Sequence, residues 1–379
     1  METITTPGPH PRPGAMEGLL LLGLGIVTMT LFAICWKMKK KTRSKKQHNT
    51  TMFQNQLFCT TNFAHKVVLI TGGTSGIGLA TAIAFAAAGA QSVTVCGRQP
   101  QKWTQIAVPA IQKQLPPEKQ SIIQYKQCDV RIADQIRALV QSIVAKEGRL
   151  DVAFNNAGIA AGAPVLQQTL QSTAIPQGLS YGLSAPQPWT KSGSESKQCN
   201  DASLQTATSP FCENAIFTDG LGVFNSMKAE LEVMVKQLPS ADPPTIVNTA
   251  SVNSLWGSPG GVFYAAAKAM VHLLTKGVAV EQCAPTAPVL PNLPIRVNCV
   301  MPGAVFTPLL ADQIRPGATY EETNKVASAG IPMGRIALPQ EIAPTVLFLA
   351  DNRRASYITG ASIVIDGGLT AAPNLSSTS

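Results

Sequence analysis

The sequence predicts an α/β protein with a doubly wound parallel sheet, preceded by one transmembrane helix. From residue 64 onward, short apolar stretches alternate with longer helix-like stretches, which is typical of a parallel sheet covered on both faces. A glycine-rich turn directly follows the first apolar stretch. Near the N-terminus, residues 18–36 carry no charge over a length that suits a membrane-crossing helix.

Strands and helices are predicted in alternation along the chain. Apolar runs bounded by turn residues predict strands at 67–70, 92–96, 122–128, 152–154, 245–249, 295–300 and 362–365. Helical periodicity predicts helices at 79–88, 132–146, 218–237, 264–282 and 341–350. Residues from about 160 to 214 break the pattern, because they are rich in Gln, Ser, Thr, Pro and Gly, and we interpret them as a long loop or insertion. The Pro-rich stretch 284–294 predicts a shorter surface detour.

Positive charge is concentrated in one short segment. The chain has 379 residues and a formal net charge of +9, and residues 37–46 alone contribute seven cations. The remaining balance is small, and no basic stripe with interleaved aromatic residues follows, so nucleic acid is not an expected partner. A hydrophobic fraction of 45% with only 13% charged residues excludes a generally disordered protein.

The basic segment predicts the orientation of the N-terminal apolar helix. Cations that directly follow residues 18–36 place the rest of the chain on the cytosolic side. The alternative is a cleaved signal peptide, but the segment before the helix is not basic and no A-x-A-like site follows it. We therefore expect a single-pass membrane protein, with the endoplasmic reticulum as the default membrane. The predicted organisation is an extracytosolic tail 1–17, a signal anchor 18–36, a basic linker 37–62, a catalytic domain 63–370 and a tail 371–379.

The eight cysteines are scattered and form neither a C-x-x-C pair nor a cluster with histidine. This spacing argues against both a zinc site and a disulfide scaffold, so no metal is predicted. Cys96, Cys128 and Cys299 lie in apolar strand-like runs and are expected in the core.

The glycine-rich turn at residues 71–78 predicts a dinucleotide site. Gly72, Gly76 and Gly78 lie between a strand and a helix, where missing side chains let the backbone approach a pyrophosphate. The helix N-terminus adds N–H donors and the positive end of a dipole.

The end of the second strand indicates which dinucleotide is bound. It reads Cys96-Gly-Arg98 and contains no carboxylate that can accept the 2′-hydroxyl of the adenosine ribose. Arg98 can instead pair with a 2′-phosphate, which favours NADP(H) over NAD(H). A solvated surface arginine is the alternative. Asp129 ends the third strand, where it either meets the adenine or caps the strand.

Three residues in the second half of the chain predict carbonyl chemistry. Tyr264 and Lys268 are four residues apart and therefore share one helical face. An ammonium near a phenol favours the phenolate, which makes a tyrosine usable as an acid or base near neutral pH. Ser251 lies thirteen residues before Tyr264, at the end of an apolar strand, and can hold a substrate oxygen.

With these motifs in order, the chain resembles the compact, single-domain short-chain dehydrogenases/reductases. The resemblance covers about residues 65–369 and rests on Thr71 to Gly78, Asp129-Val130, Asn155 to Gly158, Ser251, Tyr264 with Lys268, Arg296 to Asn298, Pro302-Gly303 with Thr307, and Thr359-Gly360 with Asp366 to Gly368. It implies a Rossmann fold, with Tyr264 as the catalytic acid/base, Lys268 on the nicotinamide ribose and Ser251 orienting the substrate. The implied cofactor-binding residues are Gly72, Thr74, Ser75, Gly76, Ile77, Gly78, Arg98, Asp129, Val130, Asn155, Ala157, Gly158, Tyr264, Lys268, Pro302, Gly303 and Thr307.

The chain departs from the family pattern at one catalytic position. The family usually has a catalytic Asn in the helix after the fourth strand, three residues before a glycine. The matching segment of this chain, residues 219–224, has Asp219 at that position. That Asn is thought to hold a water through its main-chain carbonyl, so Asp219 either preserves the relay or alters it through its charge. The insertion at about 160–214 and the membrane anchor are further additions. Residues 309–334 are expected to form a substrate lid.

The resulting expectation is a membrane-anchored oxidoreductase that uses NADP(H) on a carbonyl or alcohol group of a lipophilic small molecule. The alternatives are an NAD-dependent alcohol dehydrogenase of the hydroxysteroid type and a catalytically silent dinucleotide-binding scaffold. A membrane adaptor is a third reading, but no partner motif supports it. The resemblance also implies a homodimer or homotetramer that pairs through the helices containing Asp219 and Tyr264.

Overall fold

A computed structural model gives the structure of residues 63–159, 214–237, 242–257, 261–283 and 294–371, which are the described residues. At their centre lies a seven-stranded sheet in the order β3-β2-β1-β4-β5-β6-β7, and every neighbouring pair is parallel. The strands are β1 (Val67–Thr71), β2 (Ser92–Gly97), β3 (Ile123–Gln127), β4 (Val152–Asn155), β5 (Thr245–Thr249), β6 (Arg296–Pro302) and β7 (Ser362–Ile365).

The central strands are buried on both faces. Every residue of β1, β4 and β5 is buried, so side chains that point to either side of the sheet meet protein rather than solvent. This is why their sequences are nearly continuous apolar runs instead of alternating patterns. A sheet buried in this way requires a layer of helices on each side, which is the Rossmann-like doubly wound arrangement.

Helices form both layers. The α-helices are α1 (Gly76–Ala87), α2 (Pro100–Lys102 and Val108–Gln114, joined by the π-helical Trp103–Ala107), α3 (Pro117–Gln120), α4 (Ala133–Glu147), α5 (Gly222–Met234), α6 (Val262–Cys283), α7 (Pro308–Ile314), α8 (Tyr320–Ala327), α9 (Pro339–Ala350) and α10 (Asn352–Ala355). On one face α1 packs against α9. On the other, α4, α5 and α6 form the hydrophobic core with β1, β4, β5 and β6.

All seven predicted strands and all five predicted helices are confirmed, with boundaries that shift by a few residues. The sequence analysis missed α2, α3, α7, α8 and α10. Two of these carried a readable signal, because the hydroxyl oxygen of Thr307 accepts from the N–H of Leu310 and that of Thr319 accepts from the N–H of Glu322. Thr319 and Glu322 form a reciprocal capping box, a recognised N-terminal motif.

The helix predicted at 218–237 does not begin as a regular α-helix. Its first turn, Ile216–Leu221, is π-helical and runs into α5. Two glycines make the turn fit, since a Cβ on Gly220 would lie 2.9 Å from the Met270 sulfur and one on Gly222 would lie 2.7 Å from Cγ2 of Val130. Asp219 lies inside this irregular turn, where π-helical geometry is often found at functional sites.

Among the described residues, no helix is both long enough and apolar enough to cross a membrane. The predicted signal anchor 18–36, the basic linker 37–62 and almost all of the predicted insertion 160–214 lie outside those residues. These expectations therefore stay predictions. Cys96, Cys128 and Cys299 are buried in the core, as predicted.

Candidate active site

The candidate site is a cleft of about 1040 Å³ at the carboxyl edge of the sheet. The strand order reverses direction between β1 and β4, and crevices at such a switch point are the usual ligand sites of open α/β sheets. Most of the predicted site residues line this one cleft: Gly72, Thr74, Ser75, Gly76, Ile77, Arg98, Val130, Ala157, Gly158, Asp219, Ser251, Tyr264, Lys268, Pro302, Gly303 and Thr307.

Three predicted cofactor residues lie beside the cleft rather than in its lining. Gly78 faces protein, because a Cβ there would lie 2.5 Å from the Gly72 carbonyl oxygen. Asn155 points into the core. The Asp129 carboxylate accepts hydrogen bonds from the side chain of Arg131, which lower the pKa of Asp129 although burial opposes them. Asp129 thus pairs with Arg131, and its predicted contact with the adenine stays a prediction.

The glycine turn brings main-chain N–H groups to one end of the cleft. Gly72 and Gly76 have positive φ angles of 67° and 54°, which glycine adopts without strain. Helix α1 then begins at Gly76, and the side chain of its N-cap residue, Ser75, makes no capping hydrogen bond. The first turn of this twelve-residue helix therefore presents unsatisfied donors and a positive dipole end to the cleft.

A capping box holds Ser251 at the end of β5. The Ser251 hydroxyl oxygen accepts from the N–H of Asn253 at 3.2 Å, and the Ser254 hydroxyl oxygen accepts from the N–H of Ser251 at 3.4 Å. Because the Ser251 oxygen accepts from the main chain, its own hydrogen is available to donate into the cleft. Sequence analysis found Ser251 but missed Asn253, which also lines the cleft.

Tyr264 and Lys268 follow one another by one turn of α6, as predicted. Lys268 is 3% exposed, and its Nζ donates to the main-chain carbonyl oxygen of Thr249 at 3.0 Å. The same Nζ lies 5.8 Å from the centroid of the Tyr264 ring. The buried ammonium and the phenol therefore lie beside one another in the cleft lining.

Asp219 is the second charged group at this end of the cleft. It is fully buried, its Oδ1 accepts from the N–H of Ile159 at 2.7 Å, and its Oδ2 lies 3.6 Å from the Lys268 Nζ. That separation makes the contact an ion pair rather than a hydrogen bond. Burial raises the pKa of Asp219 to about 6, although the Lys268 charge opposes the rise.

The opposite end of the cleft is basic. Arg98 and Lys102 both line it and both are exposed, since they follow the end of β2 on the side away from the core. Sequence analysis found Arg98 but not Lys102, because the helix that carries Lys102 was not predicted. Its four-residue spacing from Arg98 was the only available signal.

Three buried polar atoms of the lining test whether a nicotinamide dinucleotide fits. Thr218 Oγ1, Thr249 Oγ1 and Asp219 Oδ2 have no hydrogen-bond partner among the described residues. Buried polar atoms are rarely left unpaired, so their position indicates an occupant with hydroxyl or amide groups. The bare helix N-terminus and the two cations add sites for phosphates. This donor and acceptor set fits the sugar, amide and phosphate groups of such a cofactor.

Comparisons with known proteins agree with this geometry. Residues 66–178 match the family model described as short chain dehydrogenase, and residues 196–370 match the one described as enoyl-(acyl carrier protein) reductase. An uncharacterized short-chain type dehydrogenase/reductase of Acanthamoeba polyphaga mimivirus is 33% identical over 82% of this chain and 98% of its own length. The chain belongs to the short-chain dehydrogenase/reductase family.

Further relatives of the family indicate the chemistry. The chain is similar to the 3-oxoacyl-acyl-carrier-protein reductase FabG of Thermotoga maritima, with 33% identity over 80% of this chain and 97% of that protein. It is also similar to a solved structure described as ElxO with NADP bound, with a TM-score of 0.60, 29% identity, and coverage of 81% of this chain and 99% of that one. As a short-chain dehydrogenase/reductase, the protein is an NAD(P)(H)-dependent oxidoreductase that acts on CH–OH and C=O groups.

A buried carboxyl beside the site predicts how stability depends on pH. Glu230 is fully buried, its Oε2 accepts from the Asn155 amide at 3.0 Å, and burial raises its pKa to about 8 in spite of that bond. The folded state therefore holds a proton that the unfolded chain releases near its ordinary, lower pKa. The stability from this group is complete at acid pH and is lost as pH rises towards about 8, at about 1.4 kcal/mol per pH unit.

We expect Glu230→Gln to remove this slope. Chemical denaturation of wild type and variant between about pH 5 and about pH 8 should show a difference that grows with pH in favour of the variant. A difference that stays constant over this range would mean that Glu230 is already ionised in the folded protein.

Proposed function

We propose that the protein is a membrane-anchored, cytosol-facing oxidoreductase that uses NADP(H) to interconvert a carbonyl and an alcohol group of a lipophilic small molecule. The observation that carries this proposal is the arrangement of Ser251, Tyr264 and Lys268 in the cleft that also contains the glycine turn. The tyrosine phenol, the serine hydroxyl and the lysine ammonium are the groups that carbonyl reduction requires around one oxygen atom.

Each residue has a distinct role in this proposal. When bound, the nicotinamide cofactor supplies or accepts the hydride. Ser251 donates its hydroxyl hydrogen to the substrate oxygen, because its own oxygen is occupied by the Asn253 N–H. Tyr264 gives a proton to that oxygen during reduction and takes it back during oxidation. Lys268, fixed by the Thr249 carbonyl, stabilises the negative charge on the phenol oxygen.

Tyr264→Phe should abolish turnover and leave cofactor binding intact, because it removes only the hydroxyl that moves the proton. We expect a loss of roughly 10²–10⁴-fold in rate, the usual contribution of a general acid. The measurement is cofactor oxidation with a 3-oxoacyl thioester and an oxo-steroid as probes, alongside the dissociation constant of NADPH.

Tyr357→Phe is the matched control, since Tyr357 is fully exposed and does not line the cleft. Activity that survives in Tyr264→Phe, or a loss of equal size in both variants, would contradict the assigned role.

The cofactor preference rests on the basic end of the cleft. Arg98 and Lys102 lie where an NAD-binding site usually has a carboxylate for the adenosine ribose, and the end of β2 has none. A 2′-phosphate would find two cations there. The similarity to a structure with NADP bound supports the same preference.

We expect NADPH to raise the thermal-unfolding midpoint of the full-length protein more than NADH at equal concentration, because a ligand that binds only the folded state stabilises it by mass action. Arg98→Gln should remove most of that advantage, and Arg137→Gln, on the surface of α4, should not. A larger shift with NADH would favour the NAD-dependent dehydrogenase. No shift with either cofactor would contradict dinucleotide binding, and with it both the proposed function and the silent dinucleotide-binding scaffold.

The substrate class is inferred from the cleft wall and the anchor. Val305, Leu309 and Leu310 line the cleft between the end of β6 and α7, next to the nicotinamide-side motif at Pro302. The similar FabG protein is described as a 3-oxoacyl-acyl-carrier-protein reductase, and a 3-oxoacyl group combines an alkyl chain with a ketone at its third carbon. A substrate of this kind would partition into the membrane on which the enzyme is anchored.

Membrane attachment and assembly complete the proposal. The support for the anchor is the uncharged segment 18–36 followed by seven cations, and the endoplasmic reticulum is the proposed membrane. A homodimer or homotetramer is proposed because α6 exposes Leu273 and Val280, two large apolar side chains.

The double substitution Leu24→Arg with Val27→Arg should release the protein from membranes in an alkaline wash. Each central arginine costs about 2.5–3.5 kcal/mol on insertion. Leu273→Arg with Val280→Arg, on α6, serves as the control and should leave attachment unchanged. Wild-type protein that washes off as readily as the first variant would rule out the anchor.

A further inference from the structure

The Asp219–Lys268 ion pair lies at the base of the cleft and is almost completely shielded from water. Both side chains line the cleft, and their charged atoms lie 3.6 Å apart. The usual family residue at position 219 is Asn, which has the same shape and no charge. This chain therefore places a full negative charge where a family member usually has a neutral amide.

The environment of Asp219 keeps the carboxylate in place. The N–H of Ile159 holds Oδ1, and Gly158 makes room for Oδ2, since a Cβ on that glycine would lie 3.2 Å from it. Oδ2 has no hydrogen-bond donor among the described residues, so its charge is balanced by Lys268 across the short gap. Removing the carboxylate would leave the Lys268 ammonium buried without an anion.

Within the part of the chain that the structure describes, the charged groups that act on Asp219 come from α6 and from the end of β2. Helix α6 contributes Lys268, and Tyr264 lies one turn earlier on the same helix and also lines the cleft. The end of β2 contributes Arg98, whose charge acts on Asp219 more weakly than that of Lys268. Among the described residues of the loop after β4, Ile159 contributes its main-chain N–H.

We propose that Asp219 is the counter-ion of Lys268 and that its ionisation lets the nicotinamide end of the cleft bind the oxidised cofactor without the repulsion that an uncompensated Lys268 charge would cause. This inference rests on the proposed function, because it requires the cofactor to bind beside Lys268. The nicotinamide ring carries a positive charge in the oxidised form and none in the reduced form. With Asp219 ionised, the charges of Asp219 and Lys268 cancel. With Asp219 protonated, the Lys268 charge is uncompensated and repels only the oxidised ring.

The affinity for the oxidised cofactor relative to the reduced one should depend on pH near neutrality. Burial raises the pKa of Asp219 to about 6, so its carboxyl gains or loses its charge as pH crosses that value. Above it, the charges of Asp219 and Lys268 cancel and the oxidised form binds without repulsion. Below it, the wild type acquires the charge that an Asn at this position would produce. The site would thus bind NADP⁺, the form of the cofactor that carbonyl reduction produces, less tightly as the pH falls.

Asp219→Asn in the full-length protein tests the proposal without any substrate. The measured quantity is the ratio of the dissociation constants of NADP⁺ and NADPH, followed by calorimetry from about pH 5.5 to about pH 8.5. At alkaline pH the variant should bind NADP⁺ less well relative to NADPH than the wild type does, on the order of tenfold. At the acid end the two ratios should converge. Titration of the 2′-phosphate affects both cofactors alike and cancels in the ratio.

Glu230→Gln is the control, because it also removes a buried carboxyl from the same helical segment but does not line the cleft. The ratio of the NADP⁺ and NADPH dissociation constants for Glu230→Gln should equal that of the wild type at every pH. A general loosening of the site by Asp219→Asn would weaken both cofactors and leave the ratio unchanged. Equal ratios in Asp219→Asn and wild type at all pH values would overturn this inference alone. Failure of both cofactors to bind wild type would overturn the proposed function and this inference with it.

Discussion

The close approach of two backbone turns at the carboxyl edge of the sheet determines the rest of the site. The turn after β1 and the turn after β4 touch so closely that a Cβ on Gly72 would lie 2.7 Å from the Ala157 Cα. The Thr71 hydroxyl oxygen joins them by accepting from the N–H groups of Asn156 and Ala157, at 3.0 and 3.1 Å. Only a glycine allows this contact, and the contact fixes where α1 begins. This contact positions the N-terminus of α1 and the floor of the cleft. It also positions the loop after β4, whose Ile159 N–H donates to Asp219.

A second constraint is the free energy required to bury charged groups in and beside the site. Lys268, Asp219 and Glu230 are each nearly or completely inaccessible to water. Asp219 and Lys268 pair with one another, whereas Glu230 has only the Asn155 amide and stays protonated below about pH 8. Isolated buried charges are too costly to persist, so each group either finds a partner or becomes neutral. The same rule explains why a pair at the base of the cleft is sensitive to pH.

The sequence predicted the architecture well because its signals are local. Apolar runs of three to seven residues predict the strands, and every one of the seven was found. The helices that were missed either contain proline, as in Pro100 and Pro109, or are short and exposed, as in α8. In these segments helical periodicity is weak, and only capping residues such as Thr319 indicate the helix. The resemblance to a family supplied the roles of Ser251, Tyr264 and Lys268, which no periodicity could assign.

The sequence by itself determined the order of the strands and helices, the glycine turn and the identity of the three residues proposed for catalysis. It also contained Asp219, since the departure from Asn is visible in the letters alone. Only the tertiary structure decided that Asp219 pairs with Lys268 from another helix, that Asp129 pairs with Arg131, and that Asn155 points into the core. Lys102 joins Arg98 only because the chain folds into α2. Charge interactions depend on distance and burial, and the residues concerned are brought together by a sheet whose neighbouring strands are far apart in the chain.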